Sequence, residues 1–330
     1  MADAPDRFHA LIIAENNLIS SAFVDAWLAC GNTIAAFWTK DEKSLASDSS
    51  QKLLSLASAV PTLEEQIRRH AIPVVRNGPL KNRPETSDLL SATGADTLIT
   101  LMTHQIVPDW MLDQFGKRAV NVHPALLPFY KGPKPTFSLL VDGEVNNYGG
   151  ITVHRLDSGI DTGDIIAQRK LPMAPGENFN VWIYRLALAA AEIARAELQS
   201  YLQGALEAVP QVEGSGSYRK SSLIDFCVEP RKTADDVRRL FSMPAGVEFR
   251  AVAPDLPGRR QSIAIHRSFS VVSAPTGEAP RLTPLFIEMD IRDARIRLLR
   301  MRKAVSMFKH ASIPVALYQM TRLLRGSDPD

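Results

Sequence analysis

The chain has 330 residues, 45% of them apolar and 22% charged, with a mean hydropathy near zero, which describes a globular protein of one or two domains with material for a sizeable core. Its 38 Lys/Arg against 36 Asp/Glu leave a formal net charge of +2, too small an excess to announce a nucleic-acid partner by itself. Two cysteines, Cys30 and Cys227, argue against a disulfide framework or a cysteine-based zinc site. Both are expected as reduced, buried thiols, and no metal is expected. The apolar runs Ala10–Ala14 and Ala187–Ala191 fall far short of the roughly 20 residues of a membrane span, so the expected location is cytoplasmic. The charge is uneven: residues 229–330 carry 18 Lys/Arg against 11 Asp/Glu, a net +7, and residues 1–228 a net −5.

In chain order, short β-rich runs alternate with longer helical patterns, the signature of βαβ units around a largely parallel sheet. Strands are predicted at His9–Ala14, Thr33–Trp38, Ile72–Val75, Thr97–Leu101 and Ala119–His123, and helices at Leu18–Cys30, Leu53–His70, Glu85–Ala92 and Asp109–Phe115 behind Pro108. Gly149–Leu156 and Asp164–Leu171 read as two further strands, followed by an Ala-rich helix over Val181–Gln203. The segment Gly204–Lys220, with Pro210 and Gly214-Ser-Gly-Ser217, has a linker's composition. The division expected is therefore 1–205 for a Rossmann-like α/β domain with a mostly parallel sheet, 206–220 for a linker and 221–330 for a small basic β-rich domain. That last part holds a helix at Thr233–Phe241, strand-like runs at Ser262–Val272 and Leu285–Met301, and a terminal helix near Val315–Leu324.

Chemistry concentrates in Asn121-Val-His-Pro-Ala-Leu-Leu-Pro-Phe-Tyr-Lys-Gly132 and Gly149-Gly-Ile-Thr-Val-His-Arg-Leu-Asp-Ser-Gly-Ile-Asp-Thr-Gly-Asp164. Two residues apart on a strand, Asn121 and His123 share one face. They lie at the carboxyl end of that strand, where open α/β sheets bind ligands. Asp161, in a glycine-punctuated loop, can return a carboxylate to the imidazole, orienting it and favouring its protonated form. Such a set suits acyl transfer to an amine: His123 and Asn121 supply N–H groups to the acyl oxygen and Asp161 helps move the proton. No GxSxG occurs and neither cysteine is near in sequence, which favours direct attack by the amine. The same residues also read as a hydrogen-bonded strand-end histidine and a turn aspartate.

These segments resemble the folate-dependent formyltransferases, whose motif runs Asn-x-His-Pro-Ser-Leu-Leu-Pro-x-Tyr-Arg/Lys-Gly and is followed by a loop ending in Asp-x-Gly; Ala125 replaces the Ser here. The likeness extends over about residues 8–205. It implies Asn121, His123 and Asp161 as the catalytic residues and 10-formyltetrahydrofolate as the formyl donor. It also implies a pterin seat between Gln105, Ile106 and Val107 on one loop and Leu156, Asp157 and Ile160 on another. Asn16, Tyr130, Lys131 and His154 are the candidates for lining the acceptor side.

The acceptor divides the family. A glycine-rich phosphate loop is missing from the first βα turn, Glu15-Asn-Asn-Leu-Ile-Ser20. Lys40–Ser50 lacks the basic, glycine-rich insertion by which the tRNA enzymes grip the acceptor stem, and Ile224-Asp225-Phe226 keeps only part of the Ile-Asp-Trp that opens their C-terminal domain. Val153-His-Arg-Leu156 is closer to the sugar-nucleotide enzymes. The reading adopted is a primary amine on a nucleotide-linked sugar or a similar small acceptor. Methionyl-tRNA is the alternative, with Arg292, Arg295, Arg297, Arg300, Arg302 and Lys303 as a phosphate-binding face. Hydrolysis of formyltetrahydrofolate ranks lower, because the family's hydrolases carry an N-terminal regulatory domain and the first strand here starts by residue 9. A non-enzymatic RNA- or protein-binding module ranks lower still, given the intact triad. A homo-oligomer is compatible with the sequence and no membrane partner is expected.

Overall fold

The structure is a computed structural model and describes residues 7–103, 105–253, 255–256, 262–301 and 312–324. The chain divides into two compact units, with Pro175–Val181 and the residues from Ser222 onward forming the second.

The first unit is built on a seven-stranded sheet of order β3-β2-β1-β4-β5-β6-β7. Its strands are β1 (His9–Ala14), β2 (Thr33–Thr39), β3 (Val74–Arg76), β4 (Thr97–Leu101), β5 (Ala119–His123), β6 (Gly150–Arg155) and β7 (Ile165–Lys170). Strands β1 to β5 pair in parallel, while β6 is antiparallel to both β5 and β7. Continuous apolar runs such as Leu98, Ile99 and Leu101 are fully buried, as strands covered on both faces must be. Residues from β1, β2 and β4 join Met111, Leu112 and Phe115 in one apolar cluster.

Helices α1 (Leu18–Ala29), α2 (Ser49–Ser58), α3 (Leu63–Arg69), α4 (Arg83–Thr93) and α5 (Asp109–Phe115) connect the parallel strands. Helix α1 starts where Asn17 accepts from the Ser20 amide, and α3 where Thr62 accepts from the Glu65 amide. The single helix expected over Leu53–His70 is two helices. Ala59 adopts a left-handed conformation, and Pro61 at the junction cannot supply a helical N–H. Two short helices within the polar motif region, α6 (Pro135–Asp142) and α7 (Val145–Tyr148), were not anticipated. The long helix expected to Gln203 is α8 (Phe179–Arg195) and α9 (Glu197–Leu202), interrupted at Ala196.

The residues composed like a linker are tied to the first unit. Val209 exchanges two main-chain hydrogen bonds with Ile165, and Ser217 and Arg219 pair with Pro128 and Lys131. The Tyr218 ring lies where a Cβ on Gly132 (φ +101°) would come within 2.6 Å of it, which restricts that position to glycine.

The second unit is a six-stranded sheet of order β11-β12-β13-β10-β9-β8. It comprises β8 (Cys227–Val228), β9 (Phe249–Ala251), β10 (Ile263–Ser273), β11 (Arg281–Leu282), β12 (Phe286–Asp290) and β13 (Arg295–Arg300), with helices α10 (Ala234–Phe241) and α11 (Ile313–Leu324). The run Leu285–Met301 is thus a hairpin, β12 to β13, folded at the polar residues between them. Cys227 is a buried free thiol, whereas Cys30, expected buried, is half-exposed. Among the described residues, no helix is long and apolar enough to cross a membrane.

Candidate active site

Register places a row of polar side chains across three strands. Thr100 on β4 is opposite Asn121 on β5, and Asn121 is opposite His154 on β6. Side chains in register on neighbouring strands share a face. The Thr100 hydroxyl donates to Asn121 Oδ1 at 2.7 Å, which fixes the amide with its nitrogen toward His154 Nε2 at 3.0 Å and Asp161 Oδ1 at 3.3 Å. His154 Nδ1 lies 2.7 Å from the Arg155 carbonyl. A carbonyl only accepts, so Nδ1 carries the hydrogen and Nε2 of the neutral ring accepts from Asn121. Thr100 was overlooked, because one threonine in an apolar strand resembles an ordinary β-branched core residue; its place at the carboxyl end of β4 was the available signal.

His123 is 4% exposed. Its Nε2 is 2.9 Å from the Tyr130 carbonyl and therefore donates, leaving Nδ1 3.5 Å from Asp161 Oδ2. Burial, reinforced by His154 and opposed by the Asp161 carboxylate and the Tyr130 carbonyl, pushes the imidazole below its ordinary 6.5. Asp161 does favour the protonated ring, as expected, but desolvation penalises the cation by more than the carboxylate returns. Nδ1 then presents a lone pair.

Asp161 sits in the loop between β6 and β7 with φ +53°, uncommon for a residue with a side chain. Its Oδ2 accepts from the Gly132 amide at 2.8 Å. Burial works to raise this carboxyl, but His123, His154 and the Gly132 N–H outweigh it and hold it well below the usual carboxylate range. One ionised carboxylate is thus shared by two buried imidazoles and an amide. Gly132 enters through its main chain, and Tyr130 through its carbonyl, which side-chain reasoning does not see.

Of the remaining candidates, Val107 and Leu156 pack in or against the same apolar cluster, bringing the loops 105–107 and 156–160 together. Ile106 and Ile160 are exposed by 69% and 50%. Gln105 accepts from Asn77, and Asp157 is exposed and holds its loop through Gly159 and Thr162. Asn16 donates to the carbonyls of Leu45 and Ala46, so its amide serves a loop contact. Tyr130 is buried and its hydroxyl donates to Asp142; burial and that carboxylate push the phenol up to about 12. Lys131 pairs through its main chain with Ser217 and Arg219. His154 is 1% exposed and is spent on Asn121, so it supports the cluster from within. Of the basic residues Arg292, Arg295, Arg297, Arg300, Arg302 and Lys303, the last two lie outside the described residues. Arg295 is bound to Asp290, Arg297 to Glu288 and Arg300 to the Thr283 carbonyl, while Arg292 is exposed.

Asn121 and His123 stand at the end of β5 in a doubly wound sheet, and Asp161 reaches them from the loop between β6 and β7. Residues 50–193 match the formyl transferase family model. It is 31% identical over 195 residues to a methionyl-tRNA formyltransferase of Geobacter sulfurreducens, covering 57% of this chain and 60% of that one. It is 35% identical over 140 residues to the enzyme of the same name from Koribacter versatilis, covering 42% and 44%. The chain thus spans 60% or less of the length of these curated relatives. Among solved structures, an N-formyltransferase of Helicobacter canadensis, in complex with folinic acid and dTDP-3-aminofucose, superposes with a TM-score of 0.50 at 16% identity, over 88% of this chain and 99% of that one. HypX of Aquifex aeolicus gives 0.54 at 14% identity, over 89% and 44%. Identities this low show a shared fold.

Proposed function

We propose that this chain transfers the formyl group of 10-formyltetrahydrofolate to a primary amine, with an amino sugar carried on a nucleotide, or a small amine of that kind, as acceptor. The observation that carries the reading is the convergence of Asn121, His123 and Asp161 in one buried cluster. The apolar loops fit the donor: Ile106 and Ile160 offer exposed aliphatic surface beside buried Val107 and half-buried Leu156, as a flat heterocycle requires. The donor supplies an activated formyl carbon.

Neutral His123, with Nε2–H held by the Tyr130 carbonyl, takes the proton of the attacking amine at Nδ1. Asp161 then faces an imidazolium and stabilises it. Asn121 exchanges its 3.3 Å bond to Asp161 Oδ1 for one to the formyl oxygen as negative charge develops there, keeping its other N–H on His154. His123 afterwards returns the proton to the departing nitrogen.

Support for a small acceptor comes from the second unit, where three of the four described cations of the expected phosphate face already have acceptors. Methionyl-tRNA remains the second reading, favoured by the names of the matched relatives. The test offers 10-formyltetrahydrofolate with methionyl-tRNA in one reaction and a panel of nucleotide-linked amino sugars in another, and measures tetrahydrofolate released and acceptor formylated. Formylated sugar is expected. Formylation of tRNA alone would overturn the acceptor, and release of formate without either would overturn transfer.

A further inference from the structure

We infer that Gln211 is a positioning residue for Asp161, so that the stretch from Val209 to Arg219, which has the composition of a linker, is a working part of the site. The inference rests on the formyl-transfer reading. Gln211 Nε2 donates to the main-chain oxygens of Asp161 at 2.9 Å and Gly163 at 2.8 Å. These two carbonyls bracket Thr162, and thereby fix the main chain where Asp161 turns left-handed with φ +53°. A primary amide is the neutral side-chain group that offers two hydrogens on one nitrogen, and both are used here. The opposite amide orientation would set Oε1 against two carbonyl oxygens. Oε1 instead stays buried without a partner, a cost the side chain accepts to keep both donations.

The rest of the segment holds Gln211 in place and meets the cluster from its other side. The paired main-chain bonds between Val209 and Ile165, 2.8 Å each, anchor the chain two residues before Gln211. Further on, Ser217 Oγ accepts from the Tyr130 amide at 3.0 Å, while Lys131 N–H donates to the Ser217 carbonyl and Arg219 N–H to the Lys131 carbonyl, at 2.8 and 2.9 Å. The turn Tyr130–Gly132 thus clamped contributes the carbonyl that receives His123 Nε2–H and the amide that donates to Asp161 Oδ2. One segment therefore sets both the main chain of Asp161 and the partners of its carboxylate. A displacement of about 1 Å in such a group costs on the order of 10²-fold in rate.

Gln211→Met keeps the volume and removes both donors. The expected result is a fall in kcat of about 10-fold or more with KM for the donor changed by less than about two-fold. A second readout needs no turnover: the His123 ring, followed by ¹⁵N NMR through a pH titration. Asp161 and the Tyr130 carbonyl raise this imidazole and His154 lowers it, so loosening Asp161 moves the midpoint down, toward its position in Asp161→Asn. Gln211→Asn, which keeps the amide at shorter reach, shifts it less in the same direction and serves if Gln211→Met does not fold. A His123 titration and kcat unchanged in folded Gln211 variants would overturn the inference. A wild-type protein that transfers no formyl group, yet whose His123 titration moves as described, would sink the functional reading and keep the positioning role.

Discussion

Asp161 and Asp290 are both carboxylates held below their ordinary range in a β-rich setting, yet they meet different partners. Asp290, at the end of β12, is raised by burial but lowered further by the Gly277 amide, Arg295 and the Thr276 amide. Its cation is an arginine whose charge is permanent, 2.9 Å away, on the residue paired with it across the hairpin. Asp161 instead faces two imidazoles and an asparagine, none permanently charged. An arginine pair fixes structure and can pass no proton. A carboxylate among buried imidazoles can, because a neutral imidazole takes up a proton and returns it.

The contrast breaks most visibly on removing the imidazole. His123→Ala lowers turnover by about 10²- to 10⁴-fold in a steady-state formylation assay, while its far-UV spectrum stays native. Arg295→Ala works the other way. It strips Asp290 of its cation and destabilises the second unit by about 3 kcal/mol, read as a lowered denaturation midpoint, without a proportionate loss of turnover per folded molecule.

Acid sharpens the difference next. His123 titrates below 6.5 in the folded protein, so at pH under that value the unfolded chain binds its proton first and stability falls as pH falls. Asp161, depressed below 3.8, contributes stability that is present above 3.8 and lost as pH drops through its folded value. Denaturation followed from pH 7 to pH 5 should show a loss of stability that His123→Asn reduces. Thr100→Val, which frees Asn121 Oδ1, costs about 1 kcal/mol and a several-fold loss of kcat. Smallest is Arg239→Ala on α10, whose exposed pair with Asp236 is screened by solvent, so the denaturation midpoint stays where it is in the wild type.

The strands of the first unit follow from the alternation of apolar runs and amphipathic stretches, and Asn121 and His123 stand out because a period of two puts them on one face at a strand end. Asp161 was legible from its glycine-flanked loop and the family motif together. The rest of the site was not legible because it is made by main-chain groups or by register. The Tyr130 carbonyl and Gly132 amide carry no side-chain signature, Thr100 matters through its cross-strand neighbour, and Gln211 sits in a sequence that composition assigns to a linker. Composition misses the pairing within the basic run of the C-terminal third for a related reason. Charge counts cannot see that Arg295 and Arg297 are answered by Asp290 and Glu288 on the adjacent strand.

The most direct test is a single-turnover reaction of the enzyme with 10-formyltetrahydrofolate and a nucleotide-linked amino sugar, comparing wild type with His123→Ala and Asp161→Asn by tetrahydrofolate formed. The account predicts rapid transfer in the wild type, and losses of about 10²-fold or more in both variants. Transfer at the wild-type rate in either variant would contradict it.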